Sequence, residues 1–325
     1  VGLTEAARQK SAFVTRRGLF LWNVMPFGLC NAPSTFERLM ETVLAGLQWR
    51  TCLIYIDDVV VFGATPEELL TRLDEVFTRL ANAGLKLKPR KCKLFAREVE
   101  YLGHIVSAAG VSVNPAKVEA VKNWPTPRCV TDIRAFLGLA SYYRRFVKGF
   151  ATIASPLTRL TDVGASWQWT DVHQQAFDRL KDVLATAPVL AFPVPDAEYV
   201  LDTDASLTAV GAVLSQIVNG QELVLSYASK ALSSSERNYC VTRRELLAVV
   251  MFCKQFRPYL YGRRFTVRTD HSSLQWLLNF RQPEHGLLIK DVAFYRKYMQ
   301  QHGRVVYVTG KHEVLFADLA GRNPA

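Results

Sequence analysis

Cys52-Leu53-Ile54-Tyr55-Ile56-Asp57-Asp58-Val59-Val60-Val61-Phe62 decides how this chain is read. An apolar run delivers two adjacent carboxylates, and a second apolar run leads away from them. Neither acid tolerates the interior of a sheet without a charge partner, so the segment reads as a β-hairpin with Asp57 and Asp58 at its tip. A tip offering two carboxylates suits a hard divalent cation such as Mg²⁺, which prefers oxygen ligands and bridges protein to phosphate. Taken alone, an Asp-Asp pair is more often a solvated turn, so the neighbouring residues carry the decision.

Upstream, the turn-rich residues 22–33 open a helix, with Asn31 placed to cap it and Pro33 in its first turn. Phe36, Leu39, Met40, Val43, Leu44 and Leu47 then recur at helical spacing and define one buried face. Downstream, Pro66 begins an amphipathic helix that stops near Gly84. A basic stretch, 86–93, and a strand pair around 99–101 and 104–106 follow. Asn114-Pro115 and Pro125-Thr126-Pro127 delimit a helical region in which Ile133, Phe136, Leu137, Ala140, Tyr143 and Val147 form one stripe. Arg144, Arg145 and Lys148 lie close by, either as a solvated face or as cations for a phosphate backbone.

Prolines 188, 193 and 195 mark a domain boundary after an amphipathic helix through Phe177, Leu180, Val183 and Leu184. Beyond it the pattern changes to strands at 199–205, 210–217 and 223–227, with Asn219-Gly220 a two-residue hairpin signal between the last two. A capped helix, a strand at 265–270, a helical stretch and a strand at 304–308 complete the order. Asp202 and Asp204 share a strand face by period-two alternation, which does not choose between them. Thr242-x-x-Glu245 reads equally as a capping box. Asp270 also fits a strand-end turn, and Asp318 a surface acid.

The bulk properties agree with a chain that handles polyanions. At 325 residues and 49% hydrophobic composition there is material for two or three cores. A net charge of +11 favours nucleic acid or another acidic partner. The six cysteines lack metal-ligand or disulfide spacing. With no signal peptide and no bilayer-spanning run, the expectation is an intracellular protein without membrane contact.

MPFGLCNAPSTFERLM (25–40), YIDDVVVF (55–62), YLGH (101–104) and FLGLASYYRRFV (136–147), in that order, resemble the reverse transcriptase of gypsy-type LTR retrotransposons over nearly the whole chain. The resemblance implies an α/β (α+β) fold in four parts. These are a partial palm (1–110), a thumb-like helical region (111–165), a connector (166–197), and a ribonuclease H-like domain with a mixed five-stranded sheet (198–325). It implies polymerase metal ligands at Asp57 and Asp58, with Phe27 and Gly28 near the incoming nucleotide. Tyr101, Leu102, Gly103 and His104 would lie against the primer, and Arg144, Arg145 and Lys148 would grip the duplex. In the second half it selects Asp204, Glu245, Asp270 and Asp318 as metal ligands for RNA hydrolysis. The implied cofactor is Mg²⁺ or Mn²⁺, two ions per active site, because an in-line displacement between two ions needs several convergent carboxylates.

The implied partners are an RNA template, a DNA primer and an RNA–DNA hybrid, with dNTP bound by the full-length parent. The family places a further metal-binding aspartate before the position where this chain begins, so the expectation is an internal polyprotein segment whose polymerase is incomplete. Tyr307-Val308-Thr309-Gly310 stands where the family has His-Arg-Pro-Gly, and Asp318 lies in the altered segment that follows. Two alternatives stand beside this reading: a catalytically silent, hybrid-binding remnant, and a general DNA nuclease, which would leave the polymerase motifs unexplained.

Overall fold

The computed structural model describes residues 1–271, Leu274 and 303–307. Two compact units divide between Tyr101 and Leu102. In the first, α1 (Glu5–Lys10) precedes a short hairpin of β1 (Phe13–Thr15) and β2 (Gly18–Phe20), followed by α2 (Ala32–Val43). A second hairpin, β3 (Cys52–Tyr55) and β4 (Asp58–Val61), leads to α3 (Pro66–Asn82), and β5 (Glu98–Tyr101) closes the unit.

The apolar faces read from the periodicity meet here. Met40, Leu44 and Leu47, from α2 and the turn after it, pack on Cys52 and Ile54 of β3 and on Val76 and Leu80 of α3. Leu44 is fully buried, so Leu44→Ala would cost about 2–5 kcal/mol through lost transfer energy and a cavity. Thr65 caps α3 by accepting the Glu68 N–H, and Pro66 occupies the first turn, where a missing N–H costs nothing. Asn31 stands at the N-cap position of α2, but its side chain makes no capping hydrogen bond.

The second unit begins with β6 (His104–Ser107) and β7 (Gly110–Val113), an antiparallel pair. Helices α4 (Pro115–Lys122), α5 (Val130–Tyr142), α6 (Phe150–Arg159) and α7 (Asp171–Ala185) follow. The stripe expected to run to Val147 outlasts its helix. Helix α5 ends at Tyr142, a 3-10 turn takes Arg144–Phe146, and Gly149 adopts φ 65° before α6. Tyr143 and Val147 are buried all the same, because the turn folds them onto the core that holds Ile133, Phe136 and Phe177.

Strands β8 (Glu198–Ala205), β9 (Ala209–Val218) and β10 (Gln221–Ala231) form a meander; α8 (Ser234–Arg237), α9 (Val241–Gln255) and α10 (Arg257–Leu260) come next, then β11 (Phe265–Thr269) and β12 (Gly303–Tyr307). The sheet order is β10-β9-β8-β11-β12. The meander is antiparallel, whereas β11 runs parallel to both β8 and β12, giving the mixed five-stranded sheet that the resemblance implied. Asn219 (φ 52°) and Gly220 (φ 77°) make the tight turn between β9 and β10 that needs positive φ at both positions. One face of the sheet buries Tyr199, Leu201, Leu214 and Val267 against Val249, Phe252 and Cys253 of α9. Val224 and Tyr227 of β10 join the helical core instead, so the helices and the sheet form one body. Among the described residues no helix is long and apolar enough to cross a membrane.

Candidate metal centre

Three chain segments bring carboxylates to one end of the sheet. Asp204 lies near the end of β8, Asp270 directly follows β11, and Glu245 projects from the early part of α9. A carboxylate oxygen from each lies within 4.8 Å of the others. The parallel register pairs Arg268 with Asp202, so two residues further along each strand the chain delivers Asp270 and Asp204. Glu245 is 3% exposed and its Oε2 has no hydrogen-bond partner. Burial, then the neighbouring charges of Asp270 and Asp204, push its carboxyl up to about 8, against a backbone hydrogen bond from Ala205 and the Arg244 charge.

Convergent carboxylates with an orphaned, buried oxygen fit a hard divalent cation. Such a cation would offset the cost of ionising the buried Glu245, with the exposed Asp204 and Asp270 completing its oxygen donors.

Asp202 and Asp204, indistinguishable by alternation, separate clearly in space. Asp202 is held in a two-point ion pair by Arg268, leaving Asp204 to join the cluster. The capping-box reading of Thr242-x-x-Glu245 is corrected. The N-cap of α9 is Cys240, without a side-chain cap, and Thr242 Oγ1 meets His271 Nε2 at 2.8 Å. Two residues of register shift take Glu245 out of the capping position and into the core. A capping box does form one helix earlier, between Ser233 and Glu236. Asp318 lies outside the described residues.

In the first unit, Tyr55 pairs with Asp58 across β3 and β4, so Ile56 and Asp57 are the two turn residues and Asp58 already belongs to β4. Both aspartates are exposed, and among the described residues neither belongs to a group of three potential metal ligands. Ile56 takes φ 55°, a region that a β-branched side chain rarely enters. Its N–H donates to Glu37 Oε2, which comes from α2. Sequence reading missed Glu37. Its only signal was an acid beside the apolar face of a helix, next to Phe36. Tyr101 stands near this tip: burial, then the charges of Asp58 and Glu37, hold its phenol above the ordinary range. Phe27 is fully exposed, and Gly28 has φ 91°.

The remaining expected contacts are occupied within the second unit. Leu102 (φ 48°) and Gly103 (φ 68°) form a turn whose carbonyls accept hydrogen bonds from the hydroxyls of Tyr142 and Tyr143. A Cβ at Gly103 would lie 3.3 Å from the Tyr142 hydroxyl, so position 103 needs glycine for both its φ and its close neighbour. The His104 ring stacks on Tyr142 at 5.2 Å, and burial, then the Arg145 charge, lower its pKa. Arg144 donates to the Ser229 carbonyl of β10 and lies over Phe150, 5.5 Å from its ring centre. Arg145 lies over Phe146, and Lys148 is close enough to Asp204 and Asp202 to feel their charges.

Comparison with known proteins places both halves. Residues 1–106 match the family described as reverse transcriptase (RNA-dependent DNA polymerase), and residues 169–267 match the RNase H-like domain found in reverse transcriptase. The combination defines a reverse transcriptase joined to an RNase H-like domain.

The retrovirus-related Pol polyprotein from transposon 297 of Drosophila melanogaster is 41% identical over 284 residues, covering 87% of this chain and 26% of that protein. The corresponding polyprotein from transposon gypsy of the same organism is 34% identical over 335 residues, covering 99% of this chain and 32% of that protein. The chain thus spans about a quarter to a third of the length of these curated relatives. It belongs to the reverse transcriptase and RNase H segment of gypsy-type LTR retrotransposon Pol polyproteins.

The fold agrees. A foamy viral protease-reverse transcriptase solved with RNA/DNA hybrid superimposes with a TM-score of 0.81 at 22% identity, over 96% of this chain and 43% of that one. The same viral protein with double-stranded DNA, in its dRH form, gives 0.84 at 22% identity, over 95% and 55%. Both families use divalent metal ions.

Proposed function

We propose that the second unit hydrolyses the RNA strand of an RNA–DNA hybrid at Asp204, Glu245 and Asp270, and that the first unit carries part of an RNA-directed DNA polymerase centred on Asp57 and Asp58. The observation that carries the nuclease reading is the convergence of three carboxylates around the buried, unpartnered Glu245 Oε2. Two Mg²⁺ or Mn²⁺ ions bound there would activate water and stabilise the leaving oxygen, yielding 3′-hydroxyl and 5′-phosphate ends. The chain's own contribution is position. Asp204 and Asp270 project from adjacent parallel strands, and Glu245 from a helix packed on the same sheet, so none needs to be gathered from solution. RNA differs from DNA at such a site by its 2′-hydroxyls.

For the polymerase, Glu37 holds the turn that presents Asp57 and Asp58, while Phe27 and Gly28 lie in the loop assigned to the incoming dNTP. The RNA template and DNA primer would be contacted through the turn 101–104 and through Arg145 and Lys148. Arg144 serves as a brace between the 3-10 turn and β10, since its guanidinium already holds Ser229.

The test is cleavage of a strand-labelled RNA–DNA hybrid by the 325-residue chain with Mg²⁺ or Mn²⁺, beside RNA duplex and DNA duplex. RNA-strand cleavage of the hybrid alone supports the reading. Equal cleavage of DNA duplex makes the domain a general nuclease. Hybrid binding without cleavage by folded protein makes it a silent remnant.

A further inference from the structure

Asp202 shares a face of β8 with Asp204, one of the proposed metal ligands, and its side chain is only 17% exposed. A carboxylate free at that place would be a further oxygen donor, two residues from the centre and drawn to the same ions. It is instead fully engaged. Arg268 on β11 donates from Nε to Asp202 Oδ1 at 2.5 Å and from Nη2 to Oδ2 at 2.6 Å. The same guanidinium reaches Glu222 on β10, with Nη1 at 3.0 Å from Oε2 and Nη2 at 2.5 Å from Oε1. Ser215 on β9 fixes Glu222 from the other side through a 2.6 Å hydrogen bond to Oε1. Lys148 adds a further positive charge near Asp202.

This arrangement uses the planar fork of arginine, which a lysine ammonium cannot reproduce. It also occupies a telling position. Arg268 and Asp202 are register partners in the parallel pair of β11 and β8, and the next positions on that side of each strand are Asp270 and Asp204. An ion-pair rung therefore adjoins the carboxylate rung.

We propose that Arg268 is a positioning residue for the metal centre: by binding Asp202 at two points it keeps that carboxylate out of the ligand set, so that ions are held by Asp204, Glu245 and Asp270. The proposal rests on the metal-dependent nuclease reading. Without Arg268, Asp202 would be a half-buried anion lacking its main partner beside a cation site, and turning toward the ions is its cheapest compensation.

Calorimetric titration of the whole chain with Mn²⁺ tests this, the nuclease-site component being the heat lost in Asp204→Asn. Arg268→Gln is expected to weaken that component about ten-fold or more, the range seen when groups behind metal ligands are removed. Asp202→Asn alone should leave it within about three-fold of the unsubstituted chain, and the double variant should recover to the same range. Recovery of Mn²⁺ affinity that is not matched by a parallel recovery of metal-free stability in urea unfolding is the decisive readout, since removing the unpaired carboxylate would also relieve a merely structural defect.

Unchanged Mn²⁺ affinity in Arg268→Gln, a double variant as weak as the single one, or a large loss in Asp202→Asn alone would each overturn the proposal. Should Arg268→Gln fail to fold by circular dichroism, the Asp202→Asn and double variants still decide it. Indistinguishable heats from Asp204→Asn and the unsubstituted chain would instead remove the metal reading, and the proposal with it.

Discussion

At the tip of the hairpin β3–β4, Asp57 and Asp58 stand exposed to water on a two-residue turn; at the ends of β8 and β11, Asp204 and Asp270 face a glutamate that is almost wholly buried. Both places are read as phosphoryl-transfer metal sites, yet they differ in how much they need an ion. Water already solvates the exposed pair, so its geometry is set by the turn and by Glu37. Glu245 has no such relief: burial and two neighbouring acids oppose its ionisation, and one of its oxygens has no partner. The difference teaches that the second site is organised around a buried glutamate crowded by two acids, whereas the first is organised around a strained backbone.

The largest consequence concerns catalysis. Asp204→Asn is expected to reduce RNA-strand cleavage of a hybrid by about 100-fold or more, since even groups behind a metal ligand are worth 10–100-fold. Asp57→Asn and Asp58→Asn should leave that cleavage unchanged, because they belong to the other unit. Single-turnover cleavage rates of the three variants measure this directly. A comparable loss in Asp58→Asn would break the division between the two sites.

A second consequence follows from the sign of the Glu245 shift. Its carboxyl moves from an ordinary 4.5 to about 8 in the fold, so protonation favours the folded state. Its contribution to stability is fully present below about pH 4.5 and is lost as pH rises toward about 8. Glu245→Gln should therefore stabilise the metal-free protein by about 1–3 kcal/mol near neutral pH and flatten the decline. Stabilisation of the unsubstituted chain by Mn²⁺ should grow across the same interval, because ion binding displaces the proton. Urea unfolding between about pH 5 and about pH 8, with and without Mn²⁺, measures both trends. A pH-independent difference between the two proteins would show that Glu245 is not the group responsible.

On the hairpin side, Glu37→Ala removes the acceptor for the Ile56 N–H and is expected to cost about 1–2 kcal/mol, reduced from the value of a fully buried charged hydrogen bond by partial exposure. Amide exchange at Ile56, Asp57 and Asp58 should accelerate while that of β8 and β11 stays unchanged. Equal protection in the variant would mean that the turn holds itself.

How legible these two sites were in the sequence follows from the range of the interactions that build them. The hairpin, the apolar faces of α2 and α3, the Asn219-Gly220 turn and the strand order were readable, because periodicity and turn chemistry act over a few residues. The choice of Asp204 over Asp202 was readable only through the family resemblance, since alternation treats them alike. In the fold it is decided by Arg268, whose contact with Asp202 spans 66 residues of chain. Glu245 carried a misleading local signal, because the capping pattern fitted while the helix began two residues earlier than that pattern required. Arg144 looked like a surface cation, but Ser229, 85 residues away, supplies its partner. Glu37 gave almost no signal, since its role depends on a hairpin that returns to α2 from 19 residues downstream.

The smallest effect tests whether strain resides where the comparison puts it. Ile56 is the first of the two turn residues and has positive φ, a place commonly taken by glycine and tolerated by asparagine. A β-branched residue there stores about 1–3 kcal/mol, part of which the Glu37 hydrogen bond offsets. Ile56→Asn should release some of that strain while forfeiting the partial burial of the isoleucine side chain, so the net gain is expected to be at most about 1 kcal/mol. The signature is slower amide exchange at Asp57 and Asp58 with a small rise in the melting temperature of the first unit. It should be larger in the Glu37→Ala background, where the turn lacks its brace. Faster exchange and lower stability in both backgrounds would place the stabilising weight on the Ile56 side chain, and the hairpin tip would then be a packed element held like the core beneath it.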